Sequence, residues 1–146
     1  MQRRNLIRLT LGGIASGIFM PKAVFAEAEP ANLSANSMAG GIFYTENAPG
    51  RWKGKEKSHL PIIEVERKSG NVSVIITTSH GMHGYDHYIV KHILLDGNYD
   101  FLGEKMFNPS KDKAPISKFS LGKYNGPIYA LSVCNKHDVW LDVEKV

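Results

Sequence analysis

The sequence predicts an all-β chain folded as an antiparallel β-sandwich. Three observations carry that expectation. Short segments of alternating or β-branched residues recur from residue 52 to the C-terminus, turn signals fall between them every 8–12 residues or so, and no segment shows a convincing helical period. At 146 residues the chain is long enough for one domain, and its 42% hydrophobic and 22% charged content is that of an ordinary globular protein.

Taken in order, Pro61–Arg67 sets Ile63 and Val65 on one face and Glu64 and Glu66 on the other. Ser69-Gly70-Asn71 reads as a turn, after which Val72, Val74 and Ile76 alternate with Ser73, Ile75 and Thr77. Tyr88–Leu95 is apolar and rich in β-branched residues, and Asp96-Gly97-Asn98 closes it. Tyr99–Phe101 and Lys105–Phe107 read as two weaker strands on either side of Gly103. Asn108–Pro115 is a polar loop, Phe119–Leu121 a short strand, and Gly122–Pro127 a further loop. Ile128–Val133 and Val139–Val143 are strands flanking Cys134–Asp138.

Ahead of this region, residues 1–26 read as an export signal. Arg3-Arg4-Asn5-Leu6-Ile7 resembles a twin-arginine (Tat) motif, a short apolar stretch runs from Leu6 to Met20, and Val24-Phe25-Ala26 ends in the small residue that a signal peptidase reads. An uncleaved N-terminal anchor is the alternative, although Arg8 interrupts the apolar run and makes it a poor membrane span. The Tat route carries folded and commonly cofactor-loaded proteins, so the expectation is a periplasmic mature chain with no membrane association after cleavage. Residues 27–50, rich in Ala, Asn, Ser, Gly and Pro, read as an N-terminal arm with at most a short ordered piece at Gly41–Thr45; residues 51–146 are the folded domain.

The net charge of +4 suggests a nucleic-acid partner only until it is located. Arg3, Arg4, Arg8 and Lys22 are the only charged residues of the leader, so the remainder is formally neutral and a nucleic-acid partner is not expected. One cysteine excludes an intrachain disulfide, a four-cysteine zinc site and an iron–sulfur centre built by a single chain.

The chemistry lies in the histidines. His59 precedes a strand, His80, His83 and His87 share one glycine-containing loop, and His137 follows Cys134 by three residues. Imidazole nitrogens and a thiolate are ligands for zinc, copper and iron, and loops at one end of a sandwich can converge where strand middles cannot. A loop histidine taken alone is more often a solvated surface residue; the cluster with Cys134 is what points to a metal. His92 sits mid-strand between Val90 and Leu94 and reads as structural. Trp52 and Trp140 read as packing residues near the site, with ligand stacking as the alternative, and Asn135 as a residue that shapes the Cys134–His137 turn.

Three ordered segments resemble the superoxide reductases (neelaredoxin and the iron-centre domain of desulfoferrodoxin). Trp52-Lys53-Gly54 with Glu56-Lys57-Ser58-His59-Leu60-Pro61-Ile62-Ile63 is similar to the family's W-K-G-E-K-H-V-P-V-I. His80-Gly81-Met82 with Asp86-His87-Tyr88-Ile89 is similar to H-P-M-x-x-E-H-Y-I, and Ser132-Val133-Cys134-Asn135-Lys136-His137-Asp138-Val139-Trp140 to S-x-C-N-x-H-G-x-W. The resemblance implies an immunoglobulin-like sandwich holding one mononuclear iron per chain, cycling between Fe2+ and Fe3+, with His59, His80, His87, His137 and Cys134 as ligands. It implies one-electron reduction of superoxide to hydrogen peroxide, with electrons from an external rubredoxin-like or cytochrome donor; a homo-oligomer stays open.

This chain departs from the pattern at three places. Ser58 is an extra residue before His59, so Lys57 is the superoxide-steering lysine if Ser58 is absorbed; Lys53 and Lys55 are neighbours, and a solvated edge is the plain alternative for all three. The loop between His80 and His87 is one residue longer, making His83 an alternative to His80, which is preferred because Gly81-Met82 follows it. Asp138 replaces a glycine expected to serve a positive φ or a close approach to sulfur, and its charge is expected to bear on the redox potential. Two other functions remain open at this point: a metal-binding or electron-transfer relative without turnover, and a metal-free immunoglobulin-like sulfur carrier or adaptor using Cys134.

Overall fold

Seven strands form two antiparallel sheets in the computed structural model, which describes residues 38–146. Residues 1–26, expected to be an export signal, and residues 27–37 of the expected arm lie outside the described residues. The strands are β1 (Pro61–Lys68), β2 (Asn71–Thr78), β3 (Ile89–Leu95), β4 (Phe101–Met106), β5 (Ile116–Gly122), β6 (Pro127–Cys134) and β7 (Asp138–Lys145). One sheet has the order β1-β2-β5 and the other β4-β3-β6-β7. Compared with the four-plus-three arrangement of an immunoglobulin constant domain, the fourth strand has joined the sheet of the third. Among the described residues no helix is long and apolar enough to cross a membrane.

Period-two alternation drives the packing. Val72, Val74 and Ile76 of β2 are fully buried and meet Leu94, Ile128, Ala130 and Val146 in the main core. The β1–β2 hairpin closes on Ser69 and Gly70, both at positive φ (50° and 78°), which gives a two-residue loop the twist its strands need.

Two strand expectations are corrected. The weak strands around Gly103 are one strand, β4, because Gly103 itself pairs with Leu94, and the ladder continues past a register shift to Leu95 against Phe101. Its missing side chain is a packing requirement: a Cβ there would lie 3.0 Å from the Phe119 ring of the opposite sheet. The short strand at Phe119 extends over Ile116–Gly122, and the alternation is disguised because the inward residue at its start is Ser117. A single helical turn, α1 (Glu56–His59), also precedes β1. It has one closing bond, from the Leu60 amide to the Glu56 carbonyl, and Pro61 follows at once, so no periodicity reveals it.

The outer edge of β7 is covered in two ways. Tyr44 pairs with it, donating its amide to the Val139 carbonyl (2.9 Å) and accepting from the Leu141 amide (2.8 Å). The next outward amides, Val143 and Lys145, donate to the carboxylates of the residues before them, Asp142 and Glu144. An edge treated this way offers no template for a further strand. Tyr44 is 2% exposed and packs on Trp140, so the ordered part of the arm expected at Gly41–Thr45 is anchored there.

A polar layer crosses the interior. Along β6, Ala130 belongs to the main core, Ser132 to a hydrogen-bonded cluster with Thr78, His92 and Ser117, and Cys134 to a small apolar cluster with Ile89 and Phe107. His92 is fully buried and structural, in agreement with its mid-strand position.

Candidate metal centre

Strand parity brings the site residues together. His59 precedes β1, His80 follows β2, His87 precedes β3, Cys134 ends β6 and His137 precedes β7. Because β1–β2, β3–β6 and β6–β7 are antiparallel pairs, the start of one strand lies beside the end of its partner, as Pro61 against Thr78, Ile89 against Cys134 and Cys134 against Asp138. All five side chains therefore emerge at one end of the sandwich. Their donor atoms lie within 4.8 Å of one another.

The nitrogens are arranged in order around a centre. His59 Nε2 is 2.9 Å from His137 Nδ1, His137 Nδ1 is 3.0 Å from His87 Nε2, and His87 Nε2 is 3.1 Å from His80 Nε2. Donors at about 2.1 Å from a shared ion and at right angles to each other stand about 3.0 Å apart. The far side of two rings settles their protonation. His59 Nδ1–H donates to the Lys55 carbonyl at 3.0 Å, with Ser58 Oγ beside it at 2.8 Å, and His80 Nδ1–H donates to the Gly81 carbonyl. Their Nε2 atoms therefore present lone pairs to the cluster. Lone pairs converging at such distances, with a cysteine sulfur 3.6 Å from His137 Nδ1, call for a cation among them. The donor set fits iron: four imidazoles and one soft thiolate.

Electrostatics keep the histidine donors in the required form. Burial pushes His59 down to about 4, and neighbouring rings act the same way, so it is a neutral ligand at pH 7. His80, His87 and His137 are also lowered, first by burial; the positive charge of Lys136 and Lys55 contributes at His87 and His137. Burial pushes the Cys134 thiol up, so an entering metal must displace its proton.

The loop histidines divide cleanly. His80 joins the cluster, whereas His83 is exposed and outside it, its Nε2 lying over Gly81 where a Cβ would meet it at 2.2 Å. Lys57 is exposed on α1 and faces a small groove with Glu46, Glu56, Leu60 and Ile62, none of them a cluster donor. The Glu56 carboxylate accepts from the Gly54 amide at 3.0 Å.

Several supporting residues exceed what the sequence suggested. Asn135 does more than shape its own turn. Its Oδ1 accepts from the Tyr88 amide (3.0 Å), and its Nδ2 donates to the carbonyls of Tyr85 (3.2 Å) and Asp86 (3.0 Å), tying the His87 loop to the Cys134 loop. Lys136 adds an ion pair with Asp86. Asn135→Ala is expected to lower the unfolding free energy by about 2 kcal/mol, from three lost bonds of partly exposed groups; denaturant titration of both proteins measures it. Trp140 is fully buried, packs against His59 and donates its Nε1–H to the His137 carbonyl (2.9 Å), while Trp52 meets the His137 ring edge-on at 4.7 Å. Both are packing residues, as expected. Ser58 entered the sequence reading only as an extra residue, not as a partner of the His59 ring, and Arg51 not at all; a polar residue beside a candidate ligand was the available signal for Ser58.

Comparison with known proteins agrees with this geometry. The family model described as desulfoferrodoxin matches residues 51–143. The superoxide reductase of Pyrococcus furiosus is 32% identical over 111 residues, which cover 62% of this chain and 88% of that protein. A structure of the superoxide reductase (neelaredoxin) from Ignicoccus hospitalis superposes with a TM-score of 0.63 at 25% identity, covering 73% of this chain and 94% of that one. A hypothetical protein from Pyrococcus horikoshii gives 0.56 at 27% identity, covering 64% and 92%. With its family match spanning most of the folded region, the chain belongs to the desulfoferrodoxin family.

Proposed function

We propose that this protein is a superoxide reductase, an oxidoreductase that converts superoxide to hydrogen peroxide at a mononuclear non-haem iron held by His59, His80, His87, His137 and Cys134. The observation that carries the reading is the convergence of four imidazole nitrogens, His59 to His137 to His87 to His80 at successive distances of 2.9–3.1 Å, with the Cys134 sulfur beside them. Each turnover takes up one electron and two protons per superoxide. Iron bound once per chain by five protein donors would cycle between Fe2+ and Fe3+, supply the electron and leave one coordination position for the substrate.

The chain's own residues do the rest. The histidines stay neutral at working pH and need no deprotonation before binding. His59 and His80 are oriented by the carbonyls of Lys55 and Gly81. Ile89, Phe107 and Met82 shield Cys134, which is 3% exposed, so the thiolate works in a dry pocket. An anionic substrate is favoured by nearby positive charge. Lys55 and Lys136 act electrostatically on the cluster histidines, and they join Lys57 as steering candidates.

Two features set the alternatives aside. Among the described residues no sixth side chain joins the five, since His83 lies outside and Glu56 is engaged by an amide. This favours an open, reactive site over a saturated one. Cys134 ends a buried strand, unlike the mobile tail that a sulfur carrier needs. One cysteine cannot build a second four-cysteine iron centre, which favours an external electron donor, rubredoxin-like or a cytochrome. The twin arginines Arg3 and Arg4 support Tat export to the periplasm, a route suited to a metal-loaded fold.

The reduced, iron-loaded protein is expected to consume superoxide and form one hydrogen peroxide for each superoxide, without releasing dioxygen. Peroxide at half that yield with dioxygen released would indicate dismutation, and no consumption would refute the enzyme reading.

A further inference from the structure

Asp138 has a left-handed backbone, with φ of 60°, a conformation that glycine adopts freely and aspartate only at some cost. Its side chain has work to do there. Oδ2 accepts from the Trp52 indole Nε1–H at 2.8 Å and from the Arg51 guanidinium. Arg51 in turn donates from Nε to the Tyr44 hydroxyl (3.1 Å) and lies over the Trp52 ring, 4.9 Å from its centroid. The Trp52 ring stands perpendicular to His137 at 4.7 Å.

The cluster histidines are not held alike. His59 and His80 each have a backbone carbonyl on the nitrogen turned away from the centre. His137 turns Nδ1 to the centre, and among the described residues no hydrogen bond reaches its Nε2. What fixes this ring is its carbonyl, bonded to Trp140, and the wall formed by Trp52. The position of Trp52 is fixed by Asp138, the residue directly after His137.

We propose that Asp138 is a positioning residue for the metal centre: its carboxylate anchors Trp52 against the His137 ring, and Arg51 both shares that carboxylate and balances its charge beside the thiolate. The inference rests on the reading of the five donors as a metal site. It also explains how a charged side chain is accommodated one residue from a ligand. The charge is paired with Arg51, and the left-handed turn is secured by side-chain bonds spanning 86 and 87 residues of sequence.

The test uses the full chain loaded with Co2+, and follows the thiolate-to-cobalt absorption as the metal passes to excess chelator. Asp138→Gly keeps the left-handed turn and removes the anchor; Trp52→Phe keeps a ring and removes the indole N–H. Each is expected to release Co2+ about tenfold faster, the lower end for loss of a supporting group behind a ligand. The double variant is expected to be no faster than the faster single variant, because both changes break one bond. Asp138→Asn tolerates the backbone and still accepts from Trp52, so it is expected to retain the parental band position and a release rate within about threefold, a smaller loss than the tenfold above. Unchanged release in both single variants, multiplied effects in the double, or an Asn variant as fast as Gly would each overturn the proposal. A parent that binds Co2+ with no thiolate absorption would instead refute the metal reading on which it rests.

Discussion

Cys134→Ser is expected to eliminate the thiolate-to-ferric absorption band of the iron-loaded protein. It is also expected to slow superoxide consumption by more than about a hundredfold, beyond the ten- to hundredfold typical of losing a mere supporting group. The side chain is the only sulfur donor of the cluster, 3% exposed, with its Sγ 3.6 Å from His137 Nδ1 and receiving the Lys136 amide at 3.5 Å. Serine is nearly isosteric, so Ile89 and Phe107 lose little packing and the fold should survive. What it lacks is chemistry: an alcohol remains protonated where a thiol gives up its proton to a metal, and oxygen donates electron density to iron far less readily. Absorption and stopped-flow kinetics on the reconstituted variant, with circular dichroism to confirm the β fold, measure the effect. A variant with parental kinetics would remove Cys134 from the chemistry, and with it the family's mode of action in this chain.

The sandwich was legible because its central strands obey a two-residue period under heavy burial. β2 shows this best: Val72, Val74 and Ile76 are fully buried, as their alternation demands. Legibility failed where one side chain served a distant partner. Gly103 looked like a break and is a contact for Phe119; Ser117 hid the start of β5 because it faces His92. The donors were legible as residue types at loop positions, but their meeting at one end follows from strand parity, which depends on the whole topology. The lysines were less legible. The motif singled out Lys57, which lines a groove beside Glu56 and Leu60, while the charges of Lys55 and Lys136 act on the cluster histidines and depend on contacts no motif shows. The Arg51–Asp138–Trp52 bonds join residues 86 and 87 positions apart, beyond the reach of any local pattern.

Acid should weaken the fold through His92, apart from any effect on the metal. Burial pushes this histidine down to about 4, and its neighbours are the hydroxyls of Thr78 and Ser117 and the Phe107 ring, none of them charged. The hydrogen bonds favour the neutral ring. Thr78 donates its hydroxyl proton to Ser132, so it accepts from His92 Nε2–H, leaving Nδ1 to accept from Ser117. Protonation would place a second N–H against Ser117 and a charge in a layer with no counter-ion. In the unfolded chain the same ring titrates near 6.5. Between pH 6.5 and 4 the unfolded state therefore binds more protons, so this contribution is complete above pH 6.5, declines as the pH falls and levels off below 4. Its full size is about 3 kcal/mol. Denaturant unfolding from pH 7.5 to 4 should show His92→Gln, which keeps polar partners for both hydroxyls but cannot titrate, losing about that much less stability than the parent over the interval. Parallel pH profiles for the two proteins would mean that the layer accepts charge after all, and that the polar belt beneath the cluster is wetter than its complete burial implies.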